Sequence, residues 1–118
     1  MKILIVDDEK EFANTLCQRL TLRKYEVMEA HSGKEGLTVL EESAADIVLL
    51  DLKMPDMDGL EFLAALRRKQ PQTKVIMLTG HGSGEAGEQA LAMGASAYLM
   101  KPVDFTELLK TVEEAASA

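Results

Sequence analysis

Cysteine is almost absent: Cys17 stands alone among 118 residues. A lone thiol has no internal partner, which excludes a disulfide scaffold and suits a reducing cytoplasm. Long apolar runs are missing as well. The N-terminus offers only Ile3-Leu4-Ile5-Val6 before Asp7, Asp8 and Glu9. A secretory core takes roughly 7–15 apolar residues and a membrane span roughly 20, so neither is expected. Basic residues are outnumbered, 13 against 20 acidic, for a formal net charge of −7. Phosphate backbones and anionic lipid repel such a chain, so neither nucleic acid nor membrane is an expected direct partner. Internal repeats and linker-like stretches are also missing before the last turn.

What remains is an ordinary globular mixture, 47% hydrophobic and 28% charged, and its length suits one domain over residues 1–118. Four short apolar runs read as strands covered on both faces: Lys2–Val6, Asp46–Leu50, Lys74–Leu78 and Ser96–Met100. Glu26–Ala30 is a weaker fifth. Between them the spacing turns helical, with Phe12, Leu16 and Leu20, then Leu37 and Leu40 behind Ser32-Gly33. Leu60, Leu63 and Leu66 beside Phe62 follow, and Phe105, Leu108, Leu109 and Val112 close the series. Asp104 with Glu107 suggests a capping box, and Gly94 a helix stop. Residues 113–118 suggest a frayed end or the start of a linker. Strand and helix thus alternate five times, which calls for an α/β fold: a doubly wound, five-stranded parallel sheet with helices on both faces.

Ligands of such sheets bind beyond the carboxyl ends of the strands. Asp7 and Asp8 follow the first strand, Asp51 the third, Thr79 the fourth and Lys101 the fifth. Three carboxylates, a hydroxyl and an ammonium would share one rim. Crowded carboxylates repel unless a cation or proton intervenes, and all-oxygen ligands suit Mg²⁺. Lys101 and a metal could neutralise an anionic group while Thr79 donates to it, which is the equipment of phosphoryl transfer. Each residue alone has a plainer role: Asp8 as the cap of the first helix, Thr79 as a turn residue, Lys101 as a solvated cation. Their joint placement is what carries weight.

The stretches Ile3–Asp8 (ILIVDD), Asp51–Gly59 (DLKMPDMDG), Val75–Gly80 (VIMLTG) and Gly94–Pro102 (GASAYLMKP) resemble the receiver domains of two-component response regulators. The resemblance covers essentially the whole chain. It implies the flavodoxin-like strand order 2-1-3-4-5, with Asp51 as phosphoacceptor from a histidine kinase or phosphotransfer protein. It also implies Mg²⁺ held by Asp7, Asp8, Asp51 and the backbone carbonyl of Lys53. Lys101 becomes the phosphoryl-contacting lysine, Thr79 and Tyr98 the switch pair, and Lys101–Pro102 a cis bond. Such a domain catalyses only its own phosphorylation and dephosphorylation. Its fourth helix, fifth strand and fifth helix form the face that controls an output domain or downstream protein, and that face admits a homodimer.

Some positions depart from the family pattern. Lys24 stands where many relatives have glycine, Val103 where phenylalanine is frequent, and Gly80 where alanine is common. With Gly82, Gly84 and Gly87, Gly80 forms a glycine cluster that puts the regularity of the fourth helix in doubt. His81, two residues after Thr79, is either a loop residue or a neighbour of the site that tunes hydrolysis. The extra aspartates Asp56 and Asp58 suggest solvated caps of the turn before the third helix. Three rival functions fit the residues less well. A flavodoxin-type module needs a Ser/Thr/Gly-rich phosphate loop where this chain has Asp7-Asp8-Glu9. A phosphatase-like enzyme commonly carries an aspartate where this chain has Lys53. A degenerate docking receiver would not be expected to keep Asp7, Asp8, Asp51, Thr79 and Lys101 together.

Overall fold

Alternate residues of each central strand serve opposite faces of one sheet, because successive side chains of a strand point to opposite sides. In the computed structural model, which describes residues 1–80 and 84–118, the strands are β1 (Lys2–Val6), β2 (Glu26–Ala30), β3 (Ile47–Asp51), β4 (Lys74–Thr79) and β5 (Ala97–Met100). All pair in parallel, in the order β2-β1-β3-β4-β5. Leu4, Val6, Val48, Leu50, Val75 and Met77 build one core. Ile3, Ile5, Ile47, Leu49, Ile76 and Leu78 build the other. β2 lies at an edge and is only half-buried, which explains its mixed sequence.

The helices are α1 (Lys10–Leu22), α2 (Gly33–Glu42), α3 (Gly59–Lys69), α4 (Gly84–Ala92) and α5 (Phe105–Ser117). Phe62, Leu63 and Leu66 of α3 and Leu40 of α2 pack into the first core. Leu16 and Leu20 of α1, with Leu108 and Val112 of α5, pack into the second. Each fully buried side chain of this size contributes about 1.5–3 kcal/mol. Among the described residues no helix is long and apolar enough to cross a membrane.

Several local expectations change. The complete capping box lies at α3, where Asp58 accepts from the Glu61 amide (2.8 Å) and Glu61 accepts from the Asp58 amide (3.4 Å). Asp104 accepts from the amides of Thr106 (2.9 Å) and Glu107 (3.5 Å), without a full reciprocal box. The C-terminal segment is helix through Ser117, held by buried Ala115, rather than a frayed end. Gly94 ends the α4 turn with φ 102°, as expected. The departure at Lys24 carries a backbone cost, because this side-chain-bearing residue has φ 72°. α4 forms with Gly84 and Gly87 inside it, so the glycines do not prevent a regular helix there. His81 and Gly82 lie outside the described residues.

Candidate functional site

Two of the expected rim residues are the last residues of their strands rather than the first beyond them: Asp51 ends β3 and Thr79 ends β4. Asp7 extends β1 by one more ladder bond, its amide donating to the Ala30 carbonyl at 3.0 Å. Buried strand ends thus fix Asp7 (0% exposed), Asp51 (5%) and Thr79 (1%). α3 begins almost directly beneath Asp51. A Cβ on Gly59 would stand 2.7 Å from the Asp51 carbonyl oxygen and 2.9 Å from Leu52 Cα, so this turn requires glycine.

One oxygen each from Asp7, Asp8 and Asp51 lie within 4.8 Å of one another. Lys101 reaches into this group from the end of β5. Its Nζ donates to Asp7 Oδ2 at 2.8 Å and lies 3.5 Å from Asp51 Oδ1. It also donates to Glu9 Oε1 at 2.7 Å and stands 4.5 Å from the centre of the Phe12 ring. The Lys101–Pro102 bond is cis. Asp8 does not cap α1. Glu9 holds the cap position without a side-chain bond, while Asp8 adds an oxygen to the acidic group.

The electrostatics follow from this crowding. Burial pushes the Asp51 carboxyl up to about 7, helped by the charge of Asp7 and by the hydrogen bond and charge of Asp8, with Lys101 opposing. For Lys101, burial works against the charged form. Hydrogen bonds to Asp7 and Glu9, and the charges of Asp7 and Asp51, outweigh it and raise its pKa. The hydrogen bond from Lys101, then its charge, lowers the Glu9 carboxyl.

The acids open on a cleft of about 820 Å³ lined by Asp51, Lys53, Thr79, Gly80 and Lys101 among others. Tyr98 stands apart from the acids. It pairs with Met77 in the β4–β5 register, and its ring packs beside α4. The fold therefore brings Asp7, Asp8, Asp51 and Lys101 together, puts Thr79 and Lys53 on the same cleft, and sets Tyr98 beside α4. His31 pairs with Glu29 at 3.2 Å.

Two partners escaped the sequence reading. Glu9 was visible only as one more acid after Asp7-Asp8, and its bond to Lys101 spans 92 positions. Exposed Asp56 accepts from the Gly33 amide (3.0 Å) and the Lys34 amide (2.9 Å), so it caps α2 from another loop rather than its own turn. Those two bonds hold its carboxyl below the usual range. No local spacing announces a cap whose partner is 22 residues away.

Comparison with known proteins agrees with this geometry. The family profile of the response regulator receiver domain matches residues 3–113. The chain is 40% identical over 113 residues to the transcriptional regulatory protein GlrR of Escherichia coli (strain K12), covering 96% of the chain and 26% of that protein. It is 40% identical over 111 residues to the transcriptional regulatory protein CpxR of the same strain, covering 94% of the chain and 47% of CpxR. The chain thus spans between a quarter and a half of these two relatives. Among solved structures, a CheY-like response regulator receiver domain protein from Methanospirillum hungatei JF-1 superposes with TM-score 0.94 at 39% identity. That match covers 98% of this chain and 93% of the other. A beryllofluoride-activated DrrB receiver domain superposes with TM-score 0.90 at 29% identity, covering 99% and 97%.

Proposed function

The chain belongs to the response regulator receiver domain family, and on that premise we propose that Asp51 accepts a phosphoryl group from a phosphohistidine on a sensor kinase or phosphotransfer protein. The observation that carries this reading is the meeting of three carboxylate oxygens within 4.8 Å of one another, with the Lys101 ammonium against two of the three acids, Asp7 and Asp51. In the proposed step an Asp51 carboxylate oxygen forms a P–O bond as the P–N bond to the donor imidazole breaks. Positioning and charge neutralisation supply the catalysis.

The donor set fits Mg²⁺. All three side chains offer hard oxygens, and burial together with the Asp7 and Asp8 charges disfavours ionised Asp51, a cost that a cation would relieve. Asp7, Asp8, Asp51 and the Lys53 carbonyl would hold the ion, which supplies positive charge beside the transferring group. Lys101 already stands 3.5 Å from Asp51, close enough to neutralise a phosphoryl oxygen after modest movement. Thr79, at the end of the adjacent strand, donates its hydroxyl to the same group. Tyr98 follows by turning inward, which alters the face built from α4, β5 and α5. On that face Leu91 and Met100 are exposed apolar residues (42% and 46%), suited to an output domain, a downstream protein or a second copy. The acidic chain itself makes no direct contact with nucleic acid in this scheme.

Incubation with Mg²⁺ and acetyl phosphate, followed by intact-mass measurement, tests the reading. The wild-type chain gains one phosphoryl group and Asp51→Asn gains none. Equal labelling of both would move the acceptor elsewhere.

A further inference from the structure

Gly87 is buried in the interior of α4, where glycine weakens a helix relative to alanine. Its surroundings show what the missing side chain makes room for. A Cβ built at Gly87 would stand 2.6 Å from both Cδ2 and Cε2 of Tyr98 and 2.7 Å from its Cγ. Near-equal distances to three consecutive ring atoms place that Cβ over the ring's face, so the face of the ring is laid against the helix backbone. The contact with Cγ decides how the ring could yield. Rotation about the Cβ–Cγ bond turns the outer ring atoms but leaves Cγ where it is, so a ring flip cannot relieve the clash. Either the ring must leave by rotation about the Cα–Cβ bond, or α4 must move away from β5.

We propose that Gly87 is the seat of the Tyr98 ring, a positioning residue on α4 that makes the ring's place and the spacing of α4 from β5 one variable. This deepens the switch reading above and rests on it. Tyr98 pairs with Met77 and Thr79 pairs with Met100, so Tyr98 and Thr79 project from the same face of neighbouring strands. A displacement of Thr79 toward a phosphoryl group reaches α4 through a ring that has no slack against Gly87. Any side chain at position 87 would separate the two motions, because the ring could no longer rest on the helix.

A sign reversal tests the seat. In a helix interior, alanine should be the more stable residue. With the seat present, Gly87→Ala should lower the urea midpoint. In a Tyr98→Ala background, which removes the ring together with its Cγ, the same substitution should raise it. Wild-type protein carrying ring-¹³C tyrosine should show contacts between the Gly87 α-protons and the Tyr98 ring; a Tyr25→Phe variant leaves Tyr98 as the one remaining tyrosine. In Gly87→Ala the Tyr98 ring signals should move at rest, and their further shift on adding beryllofluoride with Mg²⁺ should shrink. A raised midpoint in both backgrounds, or ring signals identical to wild type, would overturn the proposal. Should Gly87→Ala fail to fold, the Gly87→Ala/Tyr98→Ala double variant must restore folding, and its failure to do so also overturns the seat. The resting-state measurements need no phosphoryl group. Intact mass after acetyl phosphate, taken on the same samples, reports separately whether Asp51 is the acceptor.

Discussion

Removing the negative charge of Asp51 should stabilise the metal-free protein, although it removes the proposed acceptor. The carboxyl rises from 3.8 to about 7 in the fold. The native state keeps its proton up to about pH 7, while the unfolded chain releases it near 3.8. Between those values the native state binds more protons, so stability falls as pH rises, and above pH 7 the full cost is present. Three units correspond to about 4 kcal/mol, an upper bound because water and side-chain relaxation soften the field, so about 2–4 kcal/mol is expected. Asp51→Asn keeps the shape of the protonated acid without its titration. At pH 8 without Mg²⁺ it should be more stable than wild type by that amount, a rise in urea midpoint of roughly 1–2 M for a chain of this size. At pH 4.5 the difference should shrink to about 1 kcal/mol, because wild-type Asp51 is then protonated in the fold. Adding Mg²⁺ at pH 8 should close the gap from the other side, by about 2.7 kcal/mol at a hundredfold excess over its dissociation constant. Far-ultraviolet circular dichroism during urea unfolding measures all of these. An Asp51→Asn protein no more stable than wild type at pH 8 would refute the reasoning, since burial and the neighbouring carboxylates would then not disfavour ionised Asp51.

Lys101→Ala should bind Mg²⁺ at least as tightly as wild type by calorimetric titration, because Lys101 contributes no oxygen and its ammonium stands 2.8 Å from Asp7. Without Mg²⁺ the same variant should lose about 3 kcal/mol, since a fully buried carboxylate is left without its cation; its phosphorylation should be slow when followed by intact mass. Lys24→Gly should raise the melting temperature by roughly 2–4 °C: releasing the φ of 72° outweighs the extra freedom glycine gives the unfolded chain. Asp56→Ala should speed hydrogen exchange at the Gly33 and Lys34 amides, with the helix core of α2 less affected. Wild type should show the same loosening as pH falls through the lowered Asp56 pKa, because a carboxylate that binds amides stabilises only while ionised.

The two-sided parallel sheet and the acidic rim were legible because both depend on short-range facts, whereas the strand order came only from the family resemblance. A run such as Ile47–Leu50 is apolar at every position only if helices cover both sides, and a residue ending a parallel strand can only face the rim. That logic placed Asp7, Asp51, Thr79 and Lys101 to within one residue. Side-chain pairings over long separations were not legible. Glu9 and Asp56 are surface acids with no periodicity, and each finds its partner only after β5 or α2 has been brought alongside. The cap of α1 illustrates competition between two local roles. Asp8 has the residue type of a helix cap, but its carboxyl joins Asp7 and Asp51 while the helix starts from Glu9 uncapped by any side chain. Helix stability has been given up where the site needs an oxygen. Gly87 shows the same conflict from the opposite side. From sequence it counts as one of several glycines weakening α4, yet in the fold it is the point where Tyr98 reaches the helix backbone. In both places a local rule fails at a residue with a long-range contact, and the failure itself marks where local stability yields to that contact.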